Sequence, residues 1–98
     1  MSHYRIRVSS QALRQMDVAS AWWRKNRDKA PDAFDHDTDE AIRRIRLNPL
    51  IGQRVQLRRP ARRVWLERIR FHVYYRVSGD MIEILAVWHG SRGSLPKI

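Results

Sequence analysis

The stretch "RFHVYYRVSGDMIEILAVWHGSRG", residues 70–93, decides the fold. Phe71, Val73, Tyr75 and Val77 alternate with Arg70, His72, Tyr74 and Arg76. A period of two belongs to a strand with one face in a core, and the same face extends back to Ile69. Gly79–Asp80 is a two-residue hairpin turn, and Met81–Trp88 is the returning strand. With that turn, Ser78 lies opposite Met81. The apolar face then pairs Val77 with Ile82, Tyr75 with Ile84, Val73 with Ala86 and Phe71 with Trp88. The other face pairs Arg76 with Glu83, Tyr74 with Leu85, His72 with Val87 and Arg70 with His89. A slip of one residue would place Glu83 in the core, which is costly. This register carries His89 beside Arg70, on the face turned away from the helices.

Those helices lie upstream. "YRIRV" (4–8) alternates as a half-buried strand. Ser9–Ser10 then supplies an N-cap for a helix from about Gln11 to Asn26, with Ala12, Met16, Ala19 and Trp23 on one face. After "RDKAPD" (27–32), a second helix runs to about Leu47, with Phe34, Ala41, Ile42 and Ile45 inward. "NP" (48–49) and Gly52 end it. The short link makes an antiparallel hairpin the economical arrangement, with Trp23 and Phe34 on its facing sides. The basic segment 53–63 reads as a loop around Pro60, and "RVWL" (63–66) as a short strand. The expectation is one α+β domain over residues 1–98, ordered β-α-α-β-β-β, with the hairpin on a mainly antiparallel four-stranded sheet.

Composition narrows the function. The chain has 98 residues, 43% hydrophobic and 31% charged, with four tryptophans: a globular balance sufficient for one core. The lack of cysteine excludes disulfides, thiolate chemistry and zinc fingers. No apolar run approaches a membrane span, and "MSHYRIRV" (1–8) lacks a signal-peptide core, so a cytoplasmic protein with no membrane role is expected. The net charge of +10 is segregated. Residues 1–40 are neutral, with seven basic and seven acidic side chains, whereas 41–98 carry thirteen basic and three acidic ones. Seventeen of the twenty cations are arginine, suited to phosphates and carboxylates. An acidic partner follows.

Candidate chemistry is sparse. "DAFDHDTDE" (32–40) sets His36 among carboxylates, but acids in a first helical turn complement the helix dipole, and no metal or cofactor is expected. There is no nucleophile elbow and no phosphate-cradling loop. Ser91 near His89 lacks an acidic orienter. His72, His89, Arg70, Arg92 and Tyr74 form the one constellation suited to acid–base work on RNA. An ordinary strand face covered by a loop or a partner accounts for the same residues.

The element order, the "YYRV" strand (74–77) with its tight turn, "ILAVWHGSR" (84–92) and "NPLIGQ" (48–53) together resemble the RelE/ParE superfamily of bacterial type II toxin–antitoxin toxins. "VWHGSR" (87–92) is similar to the V-x-H-G-x-R finish of ParE-like members, and Pro49 and Gly52 to a frequent P-x-x-G. The resemblance runs from the first strand through Arg92. RelE-like members cut messenger RNA in the ribosome with basic and aromatic residues on the exposed sheet face, whereas ParE-like members poison DNA gyrase. His72 stands where the nuclease branch commonly has arginine, and Arg92 matches that branch's last-strand arginine. Gly93–Ile98 offers no counterpart to its catalytic tyrosine. The resemblance therefore implies a ParE-like gyrase inhibitor rather than an enzyme. The alternatives are a ribosome-dependent endoribonuclease, with His72, His89 and Arg92 catalytic, and a non-toxic nucleic-acid- or partner-binding module.

It also implies a cognate, ParD-like antitoxin with an amphipathic acidic C-terminal segment, with operator DNA reached only through that antitoxin. The expected contact surface for target or antitoxin is Arg58, Arg59, Arg62, Arg63, Arg68, Arg70, Tyr74 and Arg92. Since the excess charge lies wholly in residues 41–98, antitoxin association should be fast at low ionic strength and slow as salt rises. Stopped-flow association rates across a salt series check this; a flat profile would count against it.

Overall fold

A computed structural model describes residues 3–98. Strand β1 (Arg5–Val8) leads into α1 (Ser10–Asn26) and α2 (Ala33–Leu47). Strands β2 (Gln53–Gln56), β3 (Pro60–Leu66), β4 (Phe71–Ser78) and β5 (Met81–His89) follow. They form one five-stranded sheet in the order β1-β5-β4-β3-β2, antiparallel except for the parallel pairing of β1 with β5. The expected α+β order of strand, α-hairpin and sheet is present. No helix among the described residues is long and apolar enough to cross a bilayer.

Ser9 caps α1, its Oγ accepting the Ala12 N–H at 3.0 Å. The Trp23 indole N–H donates to the Ala30 carbonyl at 2.9 Å and pins the link between the helices. Arg24 closes the hairpin on Asp32, at 2.7 Å, and on Asp35. Trp23 and Phe34 both lie in the core shared with the sheet. Phe34 meets Phe71 of β4 edge-to-face, with centroids 5.1 Å apart. The core continues through Ala12, Ala41, Ile45, Val73, Tyr75, Ile82, Ile84 and Val87. A second, smaller cluster of Ala61, Tyr74, Leu85 and Ala86 lies on the outer face, with Ile98 packed against it.

Segment 53–63 is not a loop. Its first four residues are edge strand β2, pairing Gln53 with Arg63 and Val55 with Ala61. Edge strands are commonly short and polar, which hides the period-two signal, and Pro60 is tolerated as the first residue of β3. The sheet consequently has five strands, not four.

The β4–β5 register also departs from the simple one. From the turn to Tyr75↔Ile84 it is as expected; a bulge between Tyr74 and Tyr75 then shifts the pairs to Tyr74↔Ala86, Val73↔Val87, His72↔Trp88 and Phe71↔His89. An extra residue in one strand breaks the strict alternation of faces. Leu85 and Ala86 both join the outer cluster, and Val87 returns to the helix side. Ile69 and Arg70 are not in the strand. They form the β3–β4 turn, where Arg70 adopts φ +64° and Ile69 is buried. Arg70 is therefore not the strand partner of His89.

"NPLIG" (48–52) wraps one buried side chain. The Tyr75 hydroxyl donates to the Pro49 carbonyl at 2.7 Å and accepts the Gly52 N–H at 2.9 Å. A Cβ on Gly52 would come within 2.6 Å of that hydroxyl, so glycine is required by close approach. Tyr75→Phe should cost roughly 1–3 kcal/mol by orphaning both backbone groups. Phe34→Ala should cost about 3–5 kcal/mol. Denaturant melts of the two variants check both; an unchanged midpoint for Phe34→Ala would mean that the helix does not pack on the sheet through this ring.

Candidate functional site

The bulge decides where the histidines go. His72 faces outward between Trp65 of β3 and Trp88 of β5, its pairing partners on either side. His89, one residue beyond Trp88, turns to the helix side and meets Phe71 edge-on at 5.0 Å. This reverses the expected placement of His89 on the face away from the helices. Its Nδ1 accepts the Ser91 N–H at 3.1 Å, with the Ser91 hydroxyl 2.6 Å away, which ties the ring to the turn that ends β5. Gly90 is needed there because a Cβ would meet the Trp65 ring at 2.6 Å.

Two surfaces result, and His89 and Arg92 stand on the rim between them. The first is a groove of about 670 Å³ between α1 and the end of the sheet. Val18, Ala19, Trp22, Phe71 and Val87 give it an apolar lining, and Arg14 and Arg92 lie along it. Val18 and Trp22 remain 71% and 49% exposed. Arg27 covers the Trp22 ring at 4.8 Å. Gln15 accepts the Val87 N–H at 2.8 Å, satisfying a β5 donor beyond the reach of β1.

The second surface is the outer face, where Trp65, His72 and Trp88 form a band across three strands. The Trp65 and His72 rings are 4.7 Å apart. Arg63 donates to the Tyr74 hydroxyl at 3.2 Å, Arg92 lies over Trp88 at 4.1 Å, and Arg70 over Trp65 at 5.7 Å. The Trp88 indole N–H donates to the Ser94 carbonyl at 2.8 Å, which brings the segment after β5 alongside. Burial, and then the Arg63 charge, lower the His72 imidazole below its ordinary range, so the ring is uncharged near neutral pH.

The contact residues expected from sequence are thus scattered. Arg58 and Arg59 project from the β2–β3 turn. Arg62 points to the helix side and holds the Gly52 carbonyl at 2.8 Å. Arg68 binds Asp37 of α2, with Nε 2.9 Å from its Oδ2, and that hydrogen bond holds the Asp37 carboxyl below the usual range. Arg63 lies over Tyr74, which is buried at 1% exposure, while Arg70 lies over Trp65 and Arg92, on the rim, over Trp88. Trp22, Val18, Trp65 and Trp88 were missing from the expected set. A signal existed for Trp22, which falls off the inner face that Trp23 occupies. No group of three His, Cys, Asp or Glu among the described residues could hold a metal ion.

Among curated proteins none matches this chain. The structure is similar to a chain from the chromosomal ParDE TA system from P. aeruginosa, with a TM-score of 0.74 at 22% sequence identity, covering 89% of this chain and 96% of that one. At that identity the likeness speaks for the fold. The family model described as the ParE toxin of the type II toxin–antitoxin system parDE matches residues 6–93. With the α-hairpin, all of the sheet but Arg5 and the His89–Arg92 ending inside the matched span, the chain belongs to the ParE toxin family of type II toxin–antitoxin systems.

Proposed function

We propose that this protein poisons DNA gyrase in the cytoplasm and is silenced by a cognate, ParD-like antitoxin. The observation that carries the target is the way the two histidines are held. RNA cleavage by acid–base catalysis asks for both proton-handling groups within hydrogen-bond reach of one scissile site. His72 and His89 both border the cleft at the end of the sheet, but their side chains leave the strands on opposite faces, and His89 Nδ1 is tied to Ser91. This arrangement supports a binder over a nuclease.

The groove along α1 supports the antitoxin reading. An amphipathic acidic helix would lay its apolar side on Val18, Trp22 and Phe71 and its carboxylates toward Arg14 and Arg92. Such an arrangement buries the exposed Trp22 ring, the kind of side chain that dominates interface energetics.

Purified protein should block supercoiling by gyrase and leave message intact on programmed ribosomes, and His89→Ala should retain the gyrase effect. Cleaved message with unimpeded supercoiling would overturn the assignment. Trp22→Ala should weaken antitoxin binding by roughly 30-fold or more, about 2 kcal/mol, with little change in melting. Calorimetry with the antitoxin segment reads that value, and unchanged affinity would move the docking site elsewhere.

A further inference from the structure

We propose that the turn after α2, residues 47–52, is a membrane-contact knob that inserts Leu47, Leu50 and Ile51 into an anionic lipid surface. This is independent of the gyrase reading and uses none of the residues that line the α1 groove.

The first observation is exposure. Among the described residues eight large apolar side chains are exposed, and three fall within one five-residue stretch: Leu47 at 76%, Leu50 at 68% and Ile51 at 43%. A contiguous apolar group rimmed by charge marks a protein or membrane contact. It lies at the sheet end that carries the Gly79–Asp80 turn. There Arg46 Nε donates to the Tyr4 carbonyl at 3.0 Å, and the Arg5 N–H to the Asp80 carbonyl at 2.8 Å. His89 and Arg92 stand at the other end of β5, so the groove stays open when this knob is engaged.

The second observation is how the backbone is held. The Tyr75 hydroxyl serves the Pro49 carbonyl and the Gly52 N–H. Arg62 Nη1 donates to the Gly52 carbonyl at 2.8 Å and to the Leu50 carbonyl at 3.4 Å, and the Ile51 N–H donates to the Asn48 carbonyl at 3.0 Å. Pro49 has no N–H to satisfy. Backbone groups that enter hydrocarbon find no water there, so a turn that inserts must satisfy its own. This one does so largely from within, and presents aliphatic side chains outward on a fixed base.

The third observation is charge. Residues 41–66 hold eight arginines and no acidic residue. Arg44 and Arg46 sit in the last turn of α2, and Arg54 of β2 stands directly opposite Arg62, both lining one cleft with Leu50. Among the described residues none of Arg44, Arg46 and Arg54 has a carboxylate within 4.0 Å. Like charges facing each other across strands are unfavourable, and an anionic surface relieves them. A bilayer supplies hydrocarbon for the aliphatic side chains and headgroup phosphates for the guanidiniums together. A protein partner would need a pocket shaped to the knob; lipid needs none. The expectation of no membrane role rests on the lack of a long apolar run, which bears on spanning and not on contact at the surface.

The test sediments the full chain with sucrose-loaded vesicles of POPC containing about one quarter POPG, and of POPC alone, at roughly 150 mM salt. Binding should favour the POPG vesicles by about tenfold or more. Leu50→Ser and Ile51→Ser should each weaken it by roughly tenfold, about three carbons lost at partial burial. Arg54→Gln should weaken it by about fivefold. Leu13→Ser, exposed on α1, should leave it unchanged. Because the chain has no cysteine, Leu50→Cys carries NBD as a single label, which should brighten and shift to the blue on POPG vesicles. The same label on Leu13→Cys should not respond. Thermal melting of each variant guards against misfolding. Adsorption that survives both serine variants, or an NBD label at position 50 that stays dim, would overturn the proposal in favour of plain charge attraction. So would no sedimentation with POPG vesicles. Loss of supercoiling inhibition in both serine variants, without vesicle binding by the parent chain, would assign the knob to a protein target instead. Supercoiling is read without lipid, so gyrase inhibition stands or falls separately.

Discussion

The pairing of β4 with β5, and the bulge within it, governs everything else in the structure. β5 carries β1 on one side and β4 on the other, and β4 carries β3, so the sheet is built outward from this hairpin. Had the pairing continued undisturbed from the Gly79–Asp80 turn, Trp88 would face the helices and His89 the outer surface. The bulge exchanges them. It does so by turning Leu85 and Ala86 together toward the outer face, where they are buried against Ala61 and Tyr74. The interrupted ladder is offset by a second small apolar cluster, and the apolar face of β5 resumes at Val87.

From that exchange come two surfaces of different character. The groove along α1 combines exposed apolar side chains with flanking arginines, and the outer face combines aromatic rings with guanidiniums held by neutral partners. Arginine serves both architecture and surface here because its planar fork can bind a carboxylate, grip a backbone carbonyl or lie over a ring. Arg68 on Asp37 and Arg62 on the Gly52 carbonyl tie loops to the fold. Arg63 and Arg92 keep their charge available. The formal +10 of the chain is thus not a uniform coat. What matters for partners is which guanidiniums the fold has left without a counter-ion.

Much of the architecture was legible in the residues. The alternation in 71–77, the Gly79–Asp80 turn, the Ser9 cap and the apolar spacing of both helices each identify an element through local chemistry, and each element is where that chemistry places it. Edge strand β2 was not legible, because an exposed edge gains nothing from alternation and carries polar residues instead. Nor was the turn at Ile69–Arg70, where a buried isoleucine continues the apolar pattern of β4 past the point at which the backbone has left the strand.

By itself the sequence determined the class of fold, the hairpin, the segregation of charge and the residue types from which a site could be made. Those follow from propensities and periodicities that act over a few residues. Only the tertiary structure decided which of those residues meet. Leu85 and Ala86 have no local reason to share a face; they do so because the cluster over Ala61 and Tyr74 rewards the burial of both. That long-range packing, invisible in any short window, sends His72 and His89 to opposite sides of the sheet. It also sets Arg63 and Arg92 beside the Trp65–His72–Trp88 band.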